Sequence, residues 1–596
     1  MIKIVGKTNP YVVTLATTDE PFQIDNFYEI EDTENNNPVC RIIKSENLSI
    51  ETVKATERDL YPDIQSFFEN EKNIYIATAK IENYIKRPIK SGSNVKLPTF
   101  NKIKPFLVKQ NIEDSFILGE INGTDIFMNT VPDNHKNLFM VRKDNKMMSQ
   151  TSVPLLFDYK KMSEAPHIGL FGGSGSGKTF ALKVIAEEMM NKNIPTILFD
   201  PHMEMNFTTP RSDIPRELQK DYSKKFQIFT IGTNVGIDFS ELTTDELIKI
   251  MGFSGELTGP MENLLRELHR KGTTYVNLTN NVKSLIDFKS QLEQGSLDEK
   301  AMSPADKDLW DKYKNIIPTS NTLIGISWRI NAINATGIFD KDITDLKNAL
   351  LRKQTCVLRG EMKSLNIVGS YLISKLYLLR KDYIDSKDTG TMREPFLPFV
   401  IAMDEAHIFC PKNESKSPIK TILRTIAQEG RKYGVFEIMA TQRPSLLDET
   451  VVAQMSTKFI FKLSIKEDLM SIQKETDLSQ EEIERLPYIN SGESFISSSI
   501  YGKTLSVLIR YNVTDVKAKS NPFDELSAVK LTSLQKALIR ALPIDEVKID
   551  EVVDKVRAML GQVYKPSELI MELEKLADDN IIVKKSGVLG NKYFKD

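Results

Sequence analysis

The chain has 596 residues, 40% of them hydrophobic and 27% charged, a globular balance too long for one ordinary core; about 150 residues per domain predicts roughly three or four folded units. Its 79 basic and 81 acidic residues give a formal net charge of −2, which excludes a surface that is basic all over but leaves room for Lys and Arg gathered on pore loops. Three scattered cysteines and five scattered histidines exclude a disulfide framework and a His/Cys metal centre, and with no secretory signal and no apolar run of about 18 residues they predict a cytoplasmic protein without membrane spans.

Residues 1–135 read as short β-strands, among them Tyr11–Leu15, Val39–Ile43 and Ile74–Thr78. Asn, Asp, Gly and Pro punctuate them, and Glu34-Asn35-Asn36-Asn37-Pro38 is expected to be a tight loop between two strands. Many short strands with turn signals predict a small β-barrel.

From about residue 165 the pattern becomes α/β. Apolar runs at His167–Phe171, Thr196–Asp200, Gln227–Ile231, Thr355–Leu358, Pro398–Met403 and Val435–Ala440 suit strands buried on both faces of a mainly parallel sheet. The first run leads into Gly172-Gly173-Ser174-Gly175-Ser176-Gly177-Lys178-Thr179, a full G-x-x-x-x-G-K-[ST] motif, and a helical pattern follows. Its glycines allow the tight turn that aims backbone N–H groups at phosphate oxygens, and the helix N-terminus adds positive partial charge. The expected nucleotide cradle is Gly173, Ser174, Gly175, Ser176, Gly177, Lys178, Thr179 and Phe180. Lys178 serves the β- and γ-phosphates, and the Thr179 hydroxyl ligates Mg²⁺.

Asp200-Pro201-His202-Met203-Glu204 follows the second strand at the nucleotide edge; a structural loop and a catalytic or coupling role both fit it. Residues 241–345 turn helical and polar, as in Glu262–Leu268, and read as an insertion into the α/β core. The strand Pro398–Met403 ends in Asp404-Glu405-Ala406-His407. Asp404 at a strand tip suits Mg²⁺, and Glu405 suits the general base that polarises the attacking water. The cradle and this acidic pair are expected to face each other across neighbouring parallel strands.

In Gln428-Glu429-Gly430-Arg431-Lys432-Tyr433-Gly434, Arg431 is the choice for an arginine finger given to a neighbouring subunit, with Arg424 and Arg443 as competitors. Gln442, at the next strand tip in Ala440-Thr441-Gln442-Arg443-Pro444-Ser445, is placed to sense the γ-phosphate. Toward the C-terminus, Leu531–Leu538 and Ser567–Leu573 read as amphipathic helices before a hairpin from Ile581–Lys584 to Lys592–Phe594, an order expected of a winged helix.

Taken together, the P-loop, Asp-Pro-His-x-Glu, Asp-Glu-Ala-His, Gly-Arg-Lys-x-Gly and Ala-Thr-Gln-Arg-Pro, in this order, resemble the HerA branch of the HerA/FtsK ATPases. Met203 stands where that family often has glycine. The resemblance implies a RecA-like P-loop ATPase core over 136–240 and 346–515 and a HAS-barrel-like domain over 1–135. Beside it, the residue patterns place the helical insertion at 241–345 and a helical, winged-helix-like region at 516–596. The resemblance further implies ATP and Mg²⁺ as cofactors, a homohexameric ring, DNA through the pore, and a separately encoded partner, either a NurA-like nuclease or a Sir2-like effector. The implied function is a DNA translocase or helicase in DNA end processing or anti-phage defence. The alternative is an ATP-dependent platform that assembles and gates a defence effector. A conjugation or secretion ATPase fits less well, since those proteins carry or adjoin membrane segments.

Overall fold

The computed structural model describes residues 1–68, 71–108, 110–143, 146–339, 341–413, 417–515, 531–578, 581–587 and 590–595. The chain divides into two compact units, Met1–Asp515 and Val516–Asp596.

The first unit opens with β1 (Ile2–Val5), β2 (Val12–Thr17), β3 (Phe27–Ile30), β4 (Val39–Ser49), β5 (Asn73–Ile81) and β6 (Asn94–Lys96), closed into a barrel in the order β1-β2-β5-β4-β3-β6. Inward residues such as Ile4, Val13, Leu15, Ile42 and Ala79 fill it, following the two-residue alternation of a strand. The β3–β4 connection is the asparagine turn read from the sequence. Asn36 and Asn37 take left-handed backbone (φ 59° and 47°), which asparagine tolerates better than most residues.

The barrel stops short of the 135 residues expected of it. The next strand, β7 (Phe116–Ile121), pairs instead with β10 (Pro154–Phe157) and β19 (Lys503–Ile509) in the large sheet. Between β7 and β10, β8 (Met140–Lys143) and β9 (Lys146–Ser149) form a separate hairpin.

The large sheet continues with β11 (Ile168–Phe171), β12 (Thr196–Phe199), β13 (Phe226–Thr230), β14 (Thr355–Arg359), β15 (Phe399–Met403), β16 (Val435–Thr441), β17 (Thr457–Ile460) and β18 (Glu493–Ser498). Its eleven strands run in the order β10-β7-β19-β18-β17-β11-β16-β15-β12-β14-β13. From β17 to β13 all neighbours are parallel, whereas β18, β19, β7 and β10 continue one edge antiparallel. This is a mixed α/β fold built on one large, mainly parallel sheet. The six apolar runs all fall on its parallel strands, and two apolar cores lie on its faces. The run of helices Thr244–Met251, Gly259–Leu268, Tyr275–Glu293, Pro304–Tyr313 and Ser320–Asn334 lies between β13 and β14 around its own core, which includes Leu264, Leu285, Trp310 and Ile326.

Barrel and sheet are joined by a buried ionic cluster. Arg41, 1% exposed at its side chain, reaches Asp25 (3.0 Å), Glu82 (3.2 Å) and Glu482 (2.5 Å). Arg485 also pairs with Asp25, and Lys503 with Glu82. Three cations therefore meet three carboxylates, so the burial leaves no net charge to desolvate alone.

In the second unit, helices Ser533–Ala541, Ile549–Leu560 and Pro566–Asp578 pack with strands Ile544–Asp545, Ile582–Gly587 and Gly590–Lys595. Leu538, Val556, Leu569, Leu573 and Tyr593 form its core. Residues 516–530, the start of the expected C-terminal region, lie outside the described residues.

Candidate active site

The site lies at the C-terminal ends of the parallel strands. After β11 the backbone turns through Gly175 (φ 72°) and Gly177 (φ 101°) before the Lys178–Asn191 helix begins. A Cβ on Gly177 would lie 2.8 Å from the Gly492 nitrogen, so the turn requires glycine twice over, by conformation and by space. The loop is pinned by Gly172 N–H to the Thr441 carbonyl (3.2 Å), Gly173 N–H to the Lys462 carbonyl (2.8 Å) and Gly492 N–H to the Ser176 carbonyl (3.0 Å). The N–H groups of Ser174, Gly175, Gly177, Lys178 and Thr179 take no part in the backbone hydrogen bonds of the described residues. They form an anion cradle at a helix N-terminus.

Across this loop stand Asp404 and Glu405. Lys178 Nζ lies 3.3 Å from Glu405 Oε1 and 3.8 Å from Asp404 Oδ1. The Thr179 hydroxyl donates to Asp404 Oδ2 at 2.9 Å. All three charged side chains are buried (6–8% exposed). Burial raises the Asp404 carboxyl above its usual range, against the lowering effects of Lys178 and the Thr179 hydroxyl. Glu405 takes a left-handed backbone (φ 49°), a costly conformation for a residue with a Cβ, and the Asp404 carboxylate accepts its N–H at 2.9 Å. Hydroxyl and carboxylate at 2.9 Å fit the two protein ligands that Mg²⁺ takes beside phosphate oxygens and water. Among the described residues no group of three His, Cys, Asp or Glu side chains gathers to hold a metal.

One expectation is corrected. The loop and the acidic pair do not sit on neighbouring strands, because β16 lies between β11 and β15. Phe171 pairs in register with Thr441, so Gln442, half-buried, emerges beside the loop and between the two chemical elements. Arg443 leaves the same tip, its Nε 3.2 Å from the fully buried carboxylate of Asp468.

Arg431 is exposed at the other edge. It ends the Pro418–Tyr433 helix, just before β16 begins, and donates to the Glu164 carbonyl at 3.1 Å. The seven residues of β16 separate it from the strand tips by about 23 Å, so it does not reach the glycine loop of its own chain. Arg424 lies on the same helix against Asp448.

Asp200 holds its own loop together. Its carboxylate accepts the N–H groups of Glu204 (2.9 Å) and Met205 (3.1 Å) and pairs with Arg359 at 2.9 Å, which fixes the loop. Met203, at φ 58° and 60% exposed, holds the left-handed turn that glycine takes more cheaply.

Sequence reasoning did not single out His407, Thr441 or Asp468. The first two stood inside quoted motifs, but only the fold shows that His407 Nδ1 lies 2.9 Å from Thr441 Oγ1. Asp468 comes from the Lys466–Glu475 helix and carries no local signal of its partner.

The family model described as helicase HerA, central domain, matches residues 145–373. The DNA double-strand break repair helicase HerA of Saccharolobus solfataricus is 26% identical over 357 residues, 57% of this chain and 63% of that protein. The probable DNA double-strand break repair helicase HerA of Methanocaldococcus jannaschii is 22% identical over 448 residues, 65% of this chain and 83% of that protein. Among solved structures, the plasmid coupling protein TrwB in complex with ADP and Mg²⁺ is similar at 12% identity and a TM-score of 0.39, over 61% of this chain and 89% of that one. The chain spans less than two thirds of the length of the first curated relatives it matches, 62–63%.

Proposed function

We propose that this chain is an ATP-hydrolysing motor of the HerA type that moves on DNA, a reading supported by the match of residues 145–373 to the HerA central-domain model. The observation that carries the reading is the meeting of Lys178 and Thr179 with Asp404 and Glu405 within 4 Å at one sheet edge. Asp404 and Glu405 lie beyond the residues matched by the family, so their part rests on this geometry.

Lys178 and the free N–H groups of the loop bind and orient the triphosphate. Thr179 and Asp404 would hold Mg²⁺, which would neutralise charge on the phosphate oxygens. Glu405 orients the attacking water and accepts its proton, and Gln442 contacts the γ-phosphate from the strand between loop and carboxylates. Arg431 acts on the nucleotide of the next subunit, a role supported by its position on the edge away from its own loop. That role requires a ring, for which a homohexamer is the form the resemblance implies.

DNA as the track is supported by the names of the relatives, which are DNA repair helicases. The HAS-barrel-like N-terminal domain and a separate nuclease or Sir2-like effector belong to the same reading and rest on the resemblance, whereas the winged-helix-like second unit rests on its order of helices and hairpin, and the cytoplasmic location on the scattered cysteines. No helix of the described residues is long and apolar enough to cross a membrane.

The test is ATP turnover by the full chain with and without duplex and single-stranded DNA over a range of salt. The reading expects turnover that DNA stimulates, that salt suppresses, and that Lys178→Ala abolishes. Turnover surviving Lys178→Ala would remove the ATPase assignment, and indifference to both forms of DNA would remove the track.

A further inference from the structure

Glu405 Oε1 faces Lys178, but Oε2 is buried, makes no hydrogen bond and stands 3.5 Å from His407 Nδ1. The same nitrogen is 2.9 Å from Thr441 Oγ1, which also accepts the Arg443 N–H at 3.1 Å. Arg443 is held in turn by Asp468, whose other oxygen accepts the Ser445 N–H at 3.0 Å. An unbroken set of contacts thus runs from the carboxylate of Glu405 to the tip of β16, where Gln442 emerges.

Burial lowers the pKa of His407, against the raising effect of Glu405, and so favours its neutral form. A neutral imidazole has a single N–H. Its Nδ1 faces a carboxylate oxygen, which can only accept and so favours the proton on Nδ1, and the Thr441 oxygen, which accepts from Arg443, keeps a second lone pair able to receive that proton. That proton can be given well to one oxygen at a time. At 2.9 Å against 3.5 Å, Thr441 holds it here, while Lys178 compensates Glu405. When Lys178 turns to a phosphate, Glu405 becomes a buried carboxylate without its cation, and Nδ1–H is the adjacent donor able to satisfy Oε2.

We propose that His407 is a positioning residue for Glu405, exchanging its Nδ1–H between Thr441 and Oε2 so that the strand tip carrying Gln442 sets the orientation of the base. The inference deepens the function proposed above and rests on Glu405 being that base. Movement of the Thr441 tip by a few tenths of an ångström would change which oxygen receives the proton. Nucleotide contact at Gln442, one residue on, would then be felt at Glu405.

The test compares His407→Ala with His407→Asn, whose amide N–H lies near the position of Nδ1, in steady-state ATP turnover by the full chain at saturating DNA. A fluorescent ATP analogue measures nucleotide affinity in parallel. For His407→Ala the expected result is a kcat lower by about tenfold or more with KM and nucleotide affinity within about twofold of the parent, and His407→Asn regains most of the loss. Parental kcat in His407→Ala would overturn the proposal. So would equal losses in both variants, or a loss that follows nucleotide affinity. Should the alanine variant not fold, His407→Leu fills the ring's volume without a donor and is held to the same outcomes. Glu405→Gln run alongside separates the failures: if it turns over like the parent, the base assignment falls. If it is dead while His407→Ala is normal, only the positioning role falls.

Discussion

The Thr179 hydroxyl and the Asp404 carboxylate, 225 positions apart in the chain, meet at 2.9 Å across a strand that belongs to neither. Thr179 is fixed by the first turn of its helix, and Asp404 by the last residue pairing of β15. The intervening strand, β16, delivers Thr441 and Gln442 into the gap. Three separate stretches of sequence therefore become one site through the order of the parallel strands.

The loop after β12 offers a stability test remote from that chemistry. Met203 holds left-handed backbone at φ 58° with an exposed side chain. Met203→Gly relieves a strain of about 1–2 kcal/mol, offset in part by the greater freedom of glycine in the unfolded chain. The expected net gain is about 0.5–1 kcal/mol in urea unfolding, with unchanged ATP turnover.

Removal of Arg41 acts in the opposite direction. Arg41→Met leaves Asp25, Glu82 and Glu482 buried with only Arg485 and Lys503 to offset them. The expected cost is about 3–5 kcal/mol in chemical denaturation. Limited proteolysis should cut between the barrel and the sheet earlier than in the parent.

Acid should weaken the unit through His167. Its Nε2–H donates to the Ala427 carbonyl and its Nδ1 accepts the Glu437 N–H, so neither nitrogen can take a further proton without loss. Burial depresses its pKa to about 4. Since the folded value lies below the unfolded one of about 6.5, the neutral form's contribution is complete above pH 6.5 and is lost as pH falls toward 4. Urea midpoints should fall over this window in the parent, and less steeply in His167→Gln, which does not titrate.

Much of this was legible in the sequence because it is local. The P-loop, the acidic pair and six of the seven parallel strands carry their signal in adjacent residues, and apolar runs of four to six residues have few other uses. Strand order has no such signature, which is why Asp404 was expected one strand nearer the loop than it lies. The same limit hid the end of the barrel. Phe116–Ile121 reads as one more short strand, and only its pairing with residues 507–509 assigns it to the large sheet. Asp468 and His407 needed the packed fold, since their partners stand 25 and 34 positions away.

Arg431 is expected to matter across a subunit boundary. Arg431→Ala should abolish hydrolysis while sparing nucleotide binding, because the residue lies about 23 Å from its own strand tips. Rings mixed from Arg431→Ala and Lys178→Ala chains should recover part of the turnover, as measured over a series of mixing ratios. Absence of recovery at every ratio would place the finger elsewhere, with Arg424 and Arg443 next to be tested.

The most direct test of the account is the fate of ATP bound to Glu405→Gln. That variant keeps the cradle, Lys178, Thr179 and Asp404 and alters only the base. It should bind ATP with parental affinity and retain it uncleaved, with turnover reduced by about a hundredfold or more. ADP released at the parental rate would contradict the assignment of Glu405 and, with it, the chemistry placed at this sheet edge.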